Sequence, residues 1–384
     1  MIKGTFPIEK FRELETPFYY YDIELLEDTL NNINDCTKGL PFYVHYAVKA
    51  NANDHILRTI NTAGLGIDCV SGGEVAAAIN AGFDSKKIVF AGVGKTDREI
   101  SLALDANILC FNVESIPELE AINELAQQKG KIADVAFRIN PNVDAHTHKY
   151  ITTGLSENKF GINLEQLPDV LKLASTLKNI NVVGLHFHIG SQITILEPFK
   201  VLCDKINALQ KEVNEMGFKL KIINVGGGLG VDYENPDKNP IPDFKSYFDI
   251  FKNNLILQEG QEVHFELGRA IVAQCGSLIT QVTYVKKGTA KQFVITDAGM
   301  TDLIRPALYQ AHHNIENITA TTETTEIYDV VGPICESSDC FGENETLPTT
   351  KRGDLLALRT AGAYGEIMAS RYNLRDLPTA VRSK

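Results

Sequence analysis

The seven cysteines (Cys36, Cys69, Cys110, Cys203, Cys275, Cys335 and Cys340) include no Cys-x-x-Cys pair and are odd in number. Scattered and mostly within apolar runs, they fit reduced core thiols rather than a disulfide framework or a cysteine zinc site. No stretch approaches the ~18 apolar residues that a membrane span needs, and the N-terminus has no apolar core ahead of a small-residue cleavage site. A cytoplasmic chain with no membrane partner is therefore expected. Positive charge is also scarce: 37 Lys plus Arg against 49 Asp plus Glu gives a net charge of −12. Attraction to a phosphate backbone is weak at that balance, so no nucleic-acid partner is expected. Internal repeats, low-complexity tracts and Pro-rich linkers are absent too, and any link between domains should be short.

What is present is an ordinary globular composition, 44% apolar and 22% charged over 384 residues, long enough for two domains of unequal size. Short β-branched or aromatic segments at 42–49, 66–70, 88–92, 108–113, 134–140, 182–190, 221–226 and 263–268 read as strands. Helix-like stretches lie between them, for example 54–63, 73–81, 115–129 and 199–216. Eight strand-helix units with crossover spacing predict a parallel (β/α)₈ TIM-like barrel over residues 24–268. Beyond 268 the texture turns to strands at 277–287, 292–297, 324–331 and 354–360. A second, mainly β domain is predicted for residues 1–23 plus 269–384, since the strand-like segment 16–22 precedes the first helix.

Strand side chains alternate between faces, so parity divides each barrel strand. Tyr43, His45, Ala47 and Lys49 oppose Phe42, Val44, Tyr46 and Val48. Arg138 opposes Val135, Phe137 and Ile139; His186 and His188 oppose Leu185, Phe187 and Ile189; His264 and Glu266 oppose Val263, Phe265 and Leu267. With the apolar set against the helices, the polar set faces the barrel interior. Lys49, Asp68, Arg138, His188 and Glu266 then cluster near the C-terminal strand ends, where barrel enzymes build their sites. One such residue would be an ordinary hydrogen-bonded core group. Five together are costly to bury unless they pair or hold a ligand.

A partly desolvated lysine can attack a carbonyl and form a Schiff base, which makes Lys49 the first candidate. Gly226-Gly227-Gly228-Leu229-Gly230 follows a strand and can turn backbone N–H groups toward an anion, yet it matches neither the P-loop nor the dinucleotide fingerprint. An inward carboxylate, Glu266, completes the needs of pyridoxal phosphate, whose pyridinium nitrogen takes an acidic partner. His188 could stack on its ring, and Ser191 and Arg269 lie close enough in sequence to help hold phosphate or substrate.

These residues sit in longer motifs: Tyr46-Ala47-Val48-Lys49-Ala50-Asn51, Asp68-Cys69-Val70-Ser71-Gly72-Gly73-Glu74, Arg138-Ile139-Asn140-Pro141 and His186-Phe187-His188-Ile189-Gly190-Ser191. Further along come Gly226-Gly227-Gly228, Ile304-Arg305-Pro306-Ala307-Leu308-Tyr309, Gly332-Pro333-Ile334-Cys335-Glu336-Ser337-Ser338-Asp339 and Ala361-Gly362-Ala363-Tyr364-Gly365. In this order they resemble the fold type III pyridoxal-phosphate-dependent decarboxylases almost end to end. Leu267 stands where that family usually has Pro, and few residues follow Tyr372-Asn373, so a C-terminal element of many relatives is expected to be shortened.

The resemblance implies that Lys49 bonds the cofactor, His188 stacks on its ring and Glu266 meets its nitrogen. Asp68 and Arg138 join the cofactor pocket, and Ser191, Gly227, Gly228, Gly268, Arg269 and Tyr364 surround the phosphate. Arg269, Arg305, Tyr309, Glu336 and Tyr364 are implied in binding an amino-acid substrate, with Arg and Tyr on a distal carboxylate and Glu336 on a distal ammonium. Cys335 is the implied acid that returns a proton to Cα. Cys335 and Glu336 reach the site from the other subunit in that family, which implies a homodimer with shared active sites. Otherwise Cys335 is a core thiol and Arg305 a surface cation.

Within the same chemistry, decarboxylation of ornithine, arginine or carboxynorspermidine is the nearest alternative. Glu336, with Arg305 and Tyr309, argues for a second carboxylate and ammonium instead. A racemase would avoid the strong electron sink that Glu266 supports. A metal hydrolase using His146/His148 and His186/His188 leaves Lys49 and the glycines idle. An inactive cofactor-binding regulator would not need both Lys49 and Cys335.

Overall fold

The structure is a computed structural model that describes residues 6–143 and 159–384. Two compact units divide the chain, one comprising Leu30–Gly230 with Asp243–Gly268 and the other Met1–Thr29 with Val231–Pro242 and Arg269–Lys384.

Among the described residues of the first unit, eight parallel strands close a ring in the order Phe42–Ala47, Gly66–Cys69, Ile88–Phe90, Cys110–Val113, Ala133–Asn140, Ile180–His186, Ile222–Asn224 and Glu262–Leu267. The last strand pairs with the first, Glu266 lying opposite His45 in register. This is the expected (β/α)₈ barrel. Its helices begin where the sequence supplies caps: Ser71 accepts from the Glu74 N–H, Ser115 from Glu118, and Thr96 with Glu99 forms a reciprocal capping box. The helix Ile116–Gln128 buries Leu119, Ile122 and Ala126, a spacing that keeps one face on the barrel. Outward parity is visible at Phe265, whose ring lies 5.2 Å from Phe42 and 4.9 and 5.1 Å from Phe248 and Phe251 of the helix Phe244–Asn254.

Two inward residues depart from the parity reading. The first strand stops at Ala47, and Lys49 rides a 3₁₀ turn, Val48–Ala50. Its position follows from that turn rather than from alternation. The sixth strand stops at His186, two residues before His188.

The second unit is built on the long strand Gly276–Lys287, which pairs antiparallel with Phe18–Tyr21, Gln292–Thr296 and Leu355–Leu358. Phe18–Tyr21 thus joins this sheet, as its aromatic run predicts. Phe11, Phe18, Tyr20, Ile279, Leu355 and Ala357 form one core cluster there, with Phe11 and Phe18 edge to face at 5.1 Å. Strands Ile315–Asn317, Cys340–Pro348 and Thr379–Arg382 were not expected from the sequence. Val231–Pro242 belongs to this unit because Asp237 pairs with Arg359 at 2.8 Å and the Asn239 carbonyl accepts from Gln274 at 2.7 Å. Of the cysteines, four are buried, Cys36 and Cys340 are half-buried and Cys335 is exposed.

Candidate active site

In the barrel, the interior polar groups converge on Glu266. Asn112 and Asn224 donate to Oε1 at 2.8 and 2.7 Å, and His186 Nε2 lies 2.9 Å from Oε2. Each comes from a different strand, and all four residues are buried. Burial on its own would raise the Glu266 carboxyl, but the His186 contact and the positive charge of Lys49 outweigh it and hold the group well below the usual carboxylate range. An ionised acceptor is thereby fixed in the barrel centre.

Asp68 has the opposite setting. Opposite Ala47 in register and fully buried, it accepts no hydrogen bond at either carboxylate oxygen among the described residues, and Lys49 Nζ stands 3.8 Å from Oδ2. Burial and the Glu266 charge push Asp68 up, with Lys49 opposing. Buried carboxylates with an ion-pair partner but no hydrogen bond are uncommon, and the free lone pairs of Asp68 leave room for a donor from a bound group.

Arg138 donates from Nη1 to both oxygens of Glu114 at 3.1 and 3.2 Å and lies 4.7 Å from the Phe160 ring centre. Glu114 also accepts from the backbone N–H of Gly92 and Gly161. It is therefore an anchor for the guanidinium. His188 is lowered well below an ordinary imidazole by burial, then by the charges of Arg138 and Lys49. Its Nδ1 accepts from the Gly227 N–H at 3.3 Å, which leaves the ring hydrogen on Nε2 and requires a neutral ring. His186 and His188 thus have separate engagements, Glu266 and Gly227; His146 and His148 lie outside the described residues.

The glycine turn packs backbone on backbone. A Cβ on Gly227 would stand 1.9 Å from the Glu266 carbonyl oxygen, a distance no side chain allows. Ile193 donates to the Gly228 carbonyl at 2.8 Å, bringing the loop that carries Ser191 alongside. Gly268 closes the last strand, where a Cβ would sit 3.0 Å from Ala50, next to Lys49.

In the second unit, Arg269 and Arg305 gather on Tyr233. Arg269 Nη1 donates to the Tyr233 hydroxyl at 2.6 Å, and its guanidinium lies 4.8 Å from the Tyr364 ring centre. Arg305 opens the helix Arg305–Tyr309 and lies 4.8 Å from the Tyr233 ring centre. Its Nη1 donates to His313 Nε2 at 2.8 Å, so His313 Nδ1 carries the hydrogen donated to the Arg359 carbonyl at 2.9 Å. Burial and the Arg305 charge lower His313 to about 3. Arg305 thus rests on an aromatic face and a neutral imidazole. Cys335 and Glu336 stand on a different, exposed loop, where Tyr372 donates to Glu336 at 2.6 Å.

Asn112 and Asn224 hold inward positions that parity could have found. Glu114, Tyr233 and His313 carry no sequence pattern that separates them from ordinary polar residues. The barrel set fits pyridoxal phosphate: a lysine beside a buried acid, an ionised carboxylate, a neutral imidazole and a backbone turn that excludes side chains.

Comparison with known proteins agrees on the cofactor. The family described as "Pyridoxal-dependent decarboxylase, pyridoxal binding domain" matches residues 26–273. A diaminopimelate decarboxylase of Bacteroides thetaiotaomicron is 61% identical over 100% of this chain and 99% of its own length. The enzyme of that name from Haemophilus influenzae is 44% identical over 96% of this chain and 88% of its length. The crystal structure of diaminopimelate decarboxylase from Helicobacter pylori complexed with L-lysine superposes with a TM-score of 0.93 at 42% identity, covering 98% of this chain and 94% of the other.

Proposed function

Because the chain belongs to the pyridoxal-dependent decarboxylase family, we propose that it is a carboxy-lyase that converts meso-2,6-diaminopimelate to L-lysine and CO₂, the last step of lysine biosynthesis. The observation that carries this reading is the convergence of Lys49, the buried Asp68, ionised Glu266 and the Gly227 turn in one barrel. When bound, pyridoxal phosphate supplies an electron sink for the pair left behind as the bond between Cα and the carboxylate breaks.

The chain's own groups do the rest. Lys49 Nζ would hold the cofactor covalently, His188 would cover its ring as a neutral imidazole, and Asp68 and Arg138 would line the same pocket. Glu266 would accept from the ring nitrogen and keep it protonated, which its ionised state favours. Ser191, Gly227, Gly228, Gly268, Arg269 and Tyr364 would meet the phosphate. At the far end of the substrate, Arg269 and Arg305, with Tyr309 and Tyr364, would bind the carboxylate and Glu336 the ammonium. A desolvated charge left unpaired is costly, so a substrate lacking either distal group is rejected. Cys335 Sγ would return a proton to Cα. Cys335 and Glu336 would serve the partner subunit's site in a cytoplasmic homodimer, which fits their exposure in the single chain.

Borohydride reduction of the holoenzyme followed by peptide mapping tests the assignment. The cofactor should be fixed on the peptide containing Lys49. Labelling of another lysine, or no retained cofactor, would overturn it.

A further inference from the structure

The β-rich unit carries a small device in Tyr372 and Asn373, residues to which the proposed function gives no role. Cys335 and Glu336 are exposed, and an exposed glutamate normally samples several rotamers. Here it does not stand alone. The Tyr372 hydroxyl donates to Glu336 Oε1 at 2.6 Å, and the neighbouring Asn373 accepts the Cys335 backbone N–H at Oδ1 at 3.2 Å. Two adjacent residues of one 3₁₀ turn, Tyr372–Leu374, thus hold two adjacent residues of one loop. Asn373 has φ 55° and ψ 21°, a left-handed conformation that asparagine tolerates better than most residues.

The loop is fixed from its other side as well. Asp339 accepts the Ile334 N–H at Oδ2 and the Met300 N–H at Oδ1, both at 2.6 Å, while its own N–H donates to the Glu336 carbonyl at 3.1 Å. A Cβ on Gly332 would stand 2.4 Å from Asp339 Oδ2, so glycine is needed to admit that carboxylate. The backbone is therefore set by Asp339 from within, and the reactive pair is set by Tyr372 and Asn373 from outside.

We infer that Tyr372 and Asn373 are positioning residues for Glu336 and Cys335, and that Tyr372, acting through Glu336, sets the preference for a substrate with a distal ammonium. The inference rests on the proposed reading of Glu336 and Cys335. Tyr372 occupies one carboxylate oxygen and so fixes the orientation of the carboxylate without neutralising its charge. The bond to Glu336 also raises the phenol of Tyr372, so it remains a donor throughout the neutral range. Preorganising a binding group in this way improves affinity more than the chemical step. Asn373, by contrast, fixes the backbone that carries the Cys335 thiol, and its loss acts on proton return.

A double-mutant cycle on the cofactor-loaded enzyme with meso-diaminopimelate tests this. Tyr372→Phe should raise KM about five- to tenfold with kcat within about twofold of wild type. In the Glu336→Ala background the same change should cost less than about twofold, because its target is gone. Asn373→Gly keeps the left-handed backbone available and should lower kcat about fivefold at similar KM. Cofactor spectrum and dimer content should match wild type in every variant. Equal losses from Tyr372→Phe in both backgrounds, or no loss while Glu336→Ala is impaired, would overturn the clamp alone. Wild-type behaviour of Glu336→Ala would overturn the role of Glu336 and the clamp with it.

Discussion

At His188 and at His313 the same device recurs: a donor occupies one ring nitrogen, so the hydrogen must sit on the other and the ring is neutral. The donor is a backbone N–H in one case and a guanidinium in the other. For His313 this has a consequence for stability. Its folded value of about 3 lies below the ordinary 6.5 that it regains on unfolding. Between those values the unfolded chain binds a proton that the folded chain refuses, so stability is full above about pH 6.5 and is lost as the pH falls toward 3. His45 in the barrel, also lowered to about 3 by burial and by His264, acts in the same direction. The urea midpoint should fall between about pH 7 and pH 5, and His313→Gln should flatten part of that fall. Identical slopes in the variant and wild type would show that His313 is not held neutral. Residue-level inference from sequence reached the inward positions of Glu266 and Arg138 through parity, whereas Lys49 and His188 lie past the ends of their strands. It could not reach Tyr233 or His313, whose role comes from contacts between segments some 80 residues apart (Tyr233 and His313 rings at 5.3 Å).

Among the elements, the strand-to-loop junctions carry the candidate site. Strands end early, at Ala47 and His186, so that Lys49 emerges on a 3₁₀ turn and His188 on a loop, where side-chain direction is set locally. The turn after Ile222–Asn224 is the tightest of these. Gly227→Ala places a methyl group against the Glu266 carbonyl and must push apart the seventh and eighth barrel strands. The variant should keep its circular dichroism, yet retain cofactor at least about tenfold more weakly, as judged by visible absorption after dialysis. Cofactor retention equal to wild type would mean that the turn is structural only. Alternation made the barrel strands legible. Cys340–Pro348 escaped because Gly342, Glu343, Asn344 and Glu345 interrupt any period of two, and the strand exists through its antiparallel ladder with Thr325–Val331. Ile315–Asn317 and Thr379–Arg382 are too short to show a period at all.

For the whole molecule, the order of motifs along the chain made the fold class readable, since eight strand-helix units admit few topologies. The proposed subunit sharing is a different matter, because a single chain cannot display it. Lys49→Ala and Cys335→Ala homodimers should each be nearly inactive. Random exchange between equal amounts makes half of the dimers mixed, each with one intact site of two, so activity should recover to about a quarter of wild type. No recovery under demonstrated exchange would contradict shared sites. The central claim is tested most directly by following CO₂ release and L-lysine formation together, with purified holoenzyme and meso-diaminopimelate. Equimolar CO₂ and lysine are expected from wild type, with neither from Lys49→Ala and far slower release from lysine, ornithine or arginine. Comparable CO₂ release from ornithine or lysine, or release that persists in Lys49→Ala, would contradict it.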